Sequence, residues 1–161
     1  MIDVTRILPN LLVGACPQDC EDIDRLKREY GVTAVLNLQT DDDFAYWGIA
    51  WEQLEEYYQQ AGILVRRVPV RDFDAQDLRR RLPDTARVVH ELMEAGHTLL
   101  VHCSAGANRS PSTVIAYLHW YCDMELGEAV EAVTSRRLCD PDVRTIRLAG
   151  EDRQNPGDPS T

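Results

Sequence analysis

The residues with the clearest chemical potential lie in one short stretch, from His102 to Ser110. An apolar run ends at His102 and Cys103, small residues follow, and a helical pattern begins again after Arg109. This order predicts a strand, a tight loop and a helix. The predicted loop consists of Ser104, Ala105, Gly106, Ala107 and Asn108.

A loop of small residues ahead of a helix allows backbone N–H groups to converge on one point, and the helix N-terminus adds partial positive charge there. Arg109 contributes a planar set of donors that matches two phosphate oxygens. The same dipoles and the guanidinium stabilise a thiolate at Cys103. The stretch therefore predicts a site that holds a phosphate group and attacks it with sulfur.

The pattern Cys-x5-Arg-Ser, preceded by His102 and a buried strand, resembles the signature loop of the dual-specificity branch of the protein tyrosine phosphatases. The alternative is a buried cysteine in an ordinary strand-to-helix turn, where Cys103 would be only a small apolar side chain. Ser110 is within reach of the sulfur and can assist its departure, or it can cap the helix. His102 is expected to orient the loop through hydrogen bonds, and Asn108 to adopt a left-handed conformation or brace the loop.

The reaction also needs a carboxylic acid that protonates the leaving oxygen and then activates water. The residues alone leave Asp72, Asp74 and Asp77 nearly equal as candidates, although acids just ahead of a helix commonly cap it. The resemblance selects Asp72, because dual-specificity phosphatases place their acid at about this distance before the cysteine.

A narrower resemblance extends over nearly the whole chain, to about residue 150. The segments LLVGACPQDCEDIDRL, LNLQTDDDFAYWGI, RDFDAQDLRRRLP, AYLHWYCDMEL and SRRLCDPDVRTIR are similar to the corresponding parts of plant glucan phosphatases. The similarity implies a cysteine-dependent phosphatase that removes phosphate monoesters from starch-like or glycogen-like glucans. No separate carbohydrate-binding module is recognisable, so the catalytic domain is expected to hold the glucan itself.

Three aromatic residues are candidates for glucan binding. Tyr46 and Trp47 are expected in a loop after a strand, and Phe73 adjoins the proposed acid. Flat apolar rings with polar tips beside a pocket suit stacking against sugars. The alternative is that these rings pack under their own loops.

Two departures point toward the general dual-specificity phosphatases: Asn108 where the plant enzymes have glycine, and Ser110 where they tend to have alanine. A protein phosphatase acting on phosphotyrosine and phosphoserine or phosphothreonine is therefore the alternative function. A non-catalytic phosphate-binding module is disfavoured because Cys103 and Arg109 are both present. An RNA phosphatase is disfavoured by the acidic balance.

The net charge and the cysteine content limit the classes of binding partner and the cellular compartment that we expect. The 161 residues carry 17 Lys and Arg against 27 Asp and Glu, a net charge of −10, which argues against nucleic acid. Five cysteines without a signal peptide indicate reduced thiols in the cytoplasm, or in the plastid stroma if a transit peptide has been removed. We expect no metal ion, no cofactor, no membrane association and a monomer.

The pattern along the chain predicts one α/β domain over residues 1–150, with a flexible tail over 151–161. Strands are predicted at 5–14 (two), 32–38, 63–70 and 99–101, and helices at 19–30, 50–61, 78–95, 110–122, 125–137 and 143–149. An acidic turn is expected after residue 38, and Pro83 is expected to mark a helix start or a kink. This alternation implies a mostly parallel sheet with helices on both faces, the three-layer dual-specificity phosphatase fold, with the site at the C-terminal ends of the strands.

Overall fold

The computed structural model describes residues 2–156 of the chain. The strands are β1 (Val4–Leu8), β2 (Leu11–Gly14), β3 (Ala34–Asn37), β4 (Leu64–Arg67) and β5 (Leu99–His102). The helices are α1 (Cys20–Tyr30), α2 (Asp41–Trp47), α3 (Trp51–Gln60), α4 (Ala75–Glu94), α5 (Arg109–Tyr121), α6 (Leu126–Thr134) and α7 (Val143–Gln154).

The five strands form one sheet in the order β1-β2-β5-β3-β4. Strand β1 runs antiparallel to β2, and the other three pairings are parallel. Strand β5 lies between β2 and β3, with His102 opposite Gly14 on one side and Asn37 on the other. The predicted mostly parallel sheet is therefore confirmed, and the segments that follow β2, β3 and β5 leave the same edge of the sheet.

Alternate side chains of the central strands belong to two different cores. Leu99 and Val101 pack in the larger core, which contains the buried side chains of α4, α5, α6 and α7. Leu100 packs on the opposite face, with buried residues of α1, α2 and α3. Because parallel strands with both faces covered are apolar throughout, this explains the continuous apolar runs in the sequence. The predicted three-layer arrangement is confirmed.

Several element boundaries differ by a few residues from the sequence-based expectation, and three differences are larger. The acidic segment after residue 38 is a helix, α2, rather than a turn followed by a loop. Helix α4 begins at Ala75, so Pro83 lies inside it rather than at its start. Helix α7 continues to Gln154 and therefore includes four residues of the predicted tail. Its last turn is fixed to α4 by two 2.7 Å hydrogen bonds from Arg79 to Asp152.

The rest of the predicted tail, from residue 157 onward, lies outside the described residues. Among residues 2–156, no helix is long and apolar enough to cross a membrane.

Candidate active site

The predicted phosphate-binding loop connects β5 to α5 at the C-terminal edge of the sheet. Cys103 and Ser104 are buried, and Gly106 is buried between the exposed residues Ala105 and Ala107. The left-handed backbone of Gly106, with φ of 69°, turns the chain at this point. The strand, loop and helix predicted from the sequence are therefore present.

Cys103 lies at the base of this loop, and the residue is only 2% exposed. Its Sγ is 3.2 Å from the hydroxyl oxygen of Ser110, and in this structure that hydroxyl donates to the carbonyl oxygen of Gly14 at 3.2 Å. Ser110 is completely buried and is the second residue of α5, so it does not cap the helix. Its hydroxyl is instead held beside the sulfur.

The guanidinium of Arg109 is buried and surrounded by oxygens. Nη1 donates to Asp43 Oδ2 at 2.7 Å and to the carbonyl oxygen of Val70 at 2.8 Å. Nη2 lies 3.3 Å from Asp72 Oδ2. Nε is buried without a hydrogen-bond partner within residues 2–156. Because a buried N–H without a partner is costly, this atom is a natural donor to a bound oxyanion.

The three candidate acids occupy different environments. Asp74 caps α4 by accepting from the backbone N–H of Asp77 at 2.9 Å. Asp77 is buried; it accepts from the backbone of Arg71 at 2.7 Å and pairs with Arg80 at 2.6 Å. Burial would raise the pKa of Asp77, but these hydrogen bonds outweigh it and hold the pKa below its usual value. Asp72 has a one-third exposed side chain and contacts the guanidinium of Arg109. Of these three carboxylates, Asp72 is therefore the one that reaches Arg109.

His102 precedes the cysteine and is buried. Its Nδ1 donates to the carbonyl oxygen of Cys103 at 2.9 Å, which ties the imidazole to the loop backbone. Burial lowers the pKa of His102 to about 4, and the positive charge of Arg109 acts in the same direction. The ring is therefore neutral at physiological pH, in the form that holds the loop rather than one that carries a mobile proton.

Three side chains brace the loop, two from outside it and one, Asn108, from within it. Arg137 donates from Nε to the carbonyl oxygen of Gly106 at 2.8 Å and from Nη2 to that of Ala105 at 3.3 Å. Gln39 donates from Nε2 to the hydroxyl of Ser104 at 3.0 Å. Asn108 donates from Nδ2 to the carbonyl oxygen of Asp140 at 2.9 Å. With φ of −127°, Asn108 fits the loop-bracing alternative rather than the left-handed one.

The three aromatic candidates are exposed rather than packed. Tyr46 is 84% exposed, Trp47 41% and Phe73 100%. Tyr46 and Trp47 lie on α2 rather than in the predicted loop, and their rings meet edge to face with centroids 5.6 Å apart. Phe73 has a positive φ of 57°, which is strained for an aromatic residue. The alternative that these rings pack under their own loops does not hold.

Asp43 was not among the predicted site residues, although its carboxylate contacts Arg109. A sequence signal was present in the segment QTDDD, because a threonine followed three residues later by an acid is typical of a capping box. The structure contains that box: Thr40 and Asp43 exchange hydrogen bonds at the start of α2. Gln39 and Arg137 were missed as well, because their roles depend on contacts between distant segments.

A second buried cysteine, Cys16, lies next to the loop. Cys16 donates its backbone N–H to the carbonyl oxygen of Ser104 at 2.9 Å. Burial raises the pKa of the Cys16 thiol to about 11, so this neighbour of the loop stays protonated.

No group of three or more His, Cys, Asp or Glu side chains that could hold a metal ion occurs in the described part of the chain.

The chain is similar in sequence to phosphoglucan phosphatases. It is 36% identical to LSF1, a chloroplastic phosphoglucan phosphatase of Arabidopsis thaliana, over 90% of this chain and 24% of that protein. It is 36% identical to the amyloplastic phosphoglucan phosphatase DSP4 of Castanea sativa, over 94% of this chain and 40% of that protein. Laforin of Mus musculus is 32% identical, over 83% of this chain and 43% of that protein. The chain spans less than half the length of each of these relatives.

The fold also matches solved phosphatase-like structures. PTPMT1 superposes with a TM-score of 0.73 at 20% identity, covering 94% of both chains. The human tyrosine phosphatase-like serine/threonine/tyrosine-interacting protein gives a TM-score of 0.74 at 21% identity, over 96% of this chain and 98% of that one. Residues 17–144 match the family described as dual specificity phosphatase, catalytic domain. This match spans the loop at Cys103, Arg109 and the candidate acid Asp72, and the chain belongs to the dual specificity phosphatase family.

Proposed function

We propose that this protein hydrolyses phosphate monoesters of glucans through a cysteinyl-phosphate intermediate. In the first step the Cys103 thiolate attacks phosphorus in line, the ester P–O bond breaks, and Asp72 donates a proton to the leaving oxygen. The N–H groups of the loop and Arg109 hold the three equatorial oxygens. In the second step Asp72 takes a proton from water, water attacks phosphorus, and the sulfur leaves with assistance from the Ser110 hydroxyl.

The observation that supports a glucan substrate is the conformation of Phe73. The Phe73 side chain lies outside the core and is fully exposed, and its backbone, directly after Asp72, has a positive φ. A strained, exposed aromatic ring contributes nothing to folding, and such strain is concentrated at ligand sites. A ring beside the acid can stack against the apolar face of a sugar whose phosphate occupies the loop.

The surroundings of the acid also suit an uncharged polyol. A cleft of about 450 Å³ is lined by residues 40–43 together with Arg71 and Asp72. Carboxylates in this cleft accept hydrogen bonds from sugar hydroxyls but repel additional negative charge. The names of two of the relatives above, both phosphoglucan phosphatases, point to the same class of substrate. We further propose that the protein acts as a monomer, in the cytoplasm or plastid stroma where such a glucan is stored.

A protein phosphatase remains the second candidate, since the chain is also 31% identical to the dual specificity protein phosphatase 26 of Mus musculus, over 88% of this chain and 63% of that protein. The two candidates differ in what they require of the exposed rings. A phosphopeptide presents its phosphate on a flexible chain and does not need a flat ring beside the acid.

The test compares phosphate release from solubilised phosphorylated amylopectin, from phosphopeptides and from an aryl phosphate, without added metal. Phe73→Ala and Trp47→Ala should each lower kcat/KM for amylopectin by about threefold to tenfold, the contribution of one ring contact, and leave the aryl phosphate unchanged. Leu64→Ala, which removes a half-exposed apolar side chain from the edge strand, is the matched control. Equal turnover of amylopectin by the parent and both ring variants, or faster release from phosphopeptides, would exclude the glucan assignment.

A further inference from the structure

Asp43 connects the start of α2 to the phosphate-binding loop. Its Oδ2 accepts from the backbone N–H of Thr40 at 2.8 Å and from Arg109 Nη1 at 2.7 Å. The Thr40 hydroxyl accepts in return from the backbone N–H of Asp43 at 3.2 Å. The carboxylate is thus fixed by its own helix end, and its side chain is only 13% exposed. Burial would raise the pKa of Asp43, but the hydrogen bonds from Arg109 and Thr40 outweigh it, so the group stays ionised.

The contact of Asp43 determines which donors of Arg109 remain available. A guanidinium is planar and rigid, with five N–H donors in fixed directions, so holding one nitrogen fixes the whole group. Asp43 and the carbonyl oxygen of Val70 occupy Nη1. The buried Nε has no partner in the described chain. Within residues 2–156, Nη2 makes only longer contacts, at 3.3 Å to Asp72 and 3.5 Å to Asp43.

We propose that Asp43 is a positioning residue for the phosphatase reaction: it holds Arg109 through Nη1, so that Nε and Nη2 are presented to the phosphate oxygens. This inference rests on the proposed binding of a phosphate monoester in the loop and extends it to a residue outside the loop. Asp72 is a poorer anchor than Asp43, because it is one-third exposed, farther away and required to exchange protons.

The Asp43 carboxylate can act on phosphate binding by repelling the phosphate or by orienting Arg109, and these two roles predict opposite effects when its charge is removed. A carboxylate close to a phosphate dianion repels it, so removing that charge would strengthen phosphate binding if charge were its only effect. If the carboxylate orients Arg109, the same substitution weakens phosphate binding, because the guanidinium loses its anchor. The sign of the change therefore distinguishes the two roles without reference to its size.

The experiment measures kcat and KM for an aryl phosphate, and inhibition by inorganic phosphate, in Asp43→Asn. We expect kcat/KM to fall by about 10- to 100-fold and phosphate inhibition to weaken, since a charge-assisted hydrogen bond is lost. Asp84→Asn removes the same charge from an exposed pair with Arg87 on α4 and should change neither quantity. In an Arg109→Ala background the Asp43→Asn effect should nearly disappear, because the two residues act through each other.

Thr40→Val tests helix capping separately: it removes the capping hydroxyl and its 3.1 Å hydrogen bond to Asp43 Oδ2, but it keeps the carboxylate itself and the 2.8 Å hydrogen bond from the backbone N–H of residue 40. It should retain most of the phosphate affinity that Asp43→Asn loses. Unchanged or stronger phosphate inhibition in Asp43→Asn, or an equal loss in Thr40→Val, would overturn the positioning role. Phosphate affinity can also be followed by thermal shift, so the positioning role is tested even if the parent protein hydrolyses no glucan.

Discussion

Replacing Gly106 by alanine tests the close packing around the phosphate-binding loop. A Cβ at this position would lie 2.3 Å from Arg137 Nη2, 2.6 Å from the carbonyl carbon of Gly14 and 2.8 Å from the backbone nitrogen of Ala15. The two backbone atoms belong to β2 and the residue after it, so they cannot move away cheaply. The φ of 69° adds a second cost, because side chains disfavour the left-handed region.

The expected loss of stability follows from these contacts. The left-handed conformation costs about 1–2 kcal/mol. Displacing Arg137 from the carbonyl oxygens of Gly106 and Ala105 costs about 1.5–3 kcal/mol more, the usual range for hydrogen bonds to a charged group. The total is about 2.5–5 kcal/mol, which corresponds to a decrease in Tm of roughly 5–20 °C for a domain of this size. Because the loop itself is distorted, phosphate binding should be lost as well.

Two other glycines provide matched controls in urea unfolding. Gly62 has a φ of 74°, and a Cβ added there would meet nothing within 4 Å, so Gly62→Ala isolates the backbone cost, about 1–2 kcal/mol. Gly127 lies in α6 with open space around it, and Gly127→Ala should stabilise by about 0.5–1 kcal/mol. If Gly106→Ala were no more destabilising than Gly62→Ala, the close approach of the loop to β2 would be refuted.

The remaining predictions concern the acid, the serine and the histidine. Asp72→Asn should slow release of poor leaving groups such as sugar alcohols far more than release of an aryl phenolate, and equal losses in single-turnover assays would place the acid elsewhere. Ser110→Ala should slow breakdown of the cysteinyl-phosphate about 10- to 100-fold, seen as a burst of the aryl product; no burst would remove the serine from that step. Because burial holds the pKa of His102 at about 4, below the value near 6.5 of an unfolded histidine, stability is full above pH 6.5 and decreases as the pH falls toward 4. We expect a loss of roughly 2 kcal/mol between pH 6.5 and 5, absent in His102→Gln; an equal slope in both proteins would contradict it.

Much of the site was predictable because its signals are local. The segment from β5 to α5 combines an apolar strand, small residues and a helix start within consecutive positions, and each feature constrains the next. The central strands were recognised for a related reason, since burial on both faces makes them apolar throughout. Asp72, in contrast, could not be separated from Asp74 and Asp77 by residue type, and only the resemblance to a family selected it.

The features that were missed depend on packing or on competing local signals. Three consecutive acids after Thr40 resemble a turn, but at the first turn of a helix they interact favourably with its dipole, and the capping box begins α2 there. The contact of Asp43 with Arg109 exists because β3 lies next to β5, a strand order that the sequence does not state. The last turn of α7 is likewise held by Arg79, a residue from another helix.

Arg137 connects the first residues of the chain to the phosphate-binding loop. While its Nε and Nη2 hold the carbonyl oxygens of Gly106 and Ala105, its Nη1 pairs with Asp3 at 2.9 Å and donates to Thr5 at 3.1 Å. A single buried side chain thus joins the outermost strand to the loop. Because Val4 lies opposite Gly14 and Gly14 opposite His102, the start of β1 is at the same edge of the sheet as the loop, and trimming the first residues or attaching a bulky tag to them would disturb the candidate site.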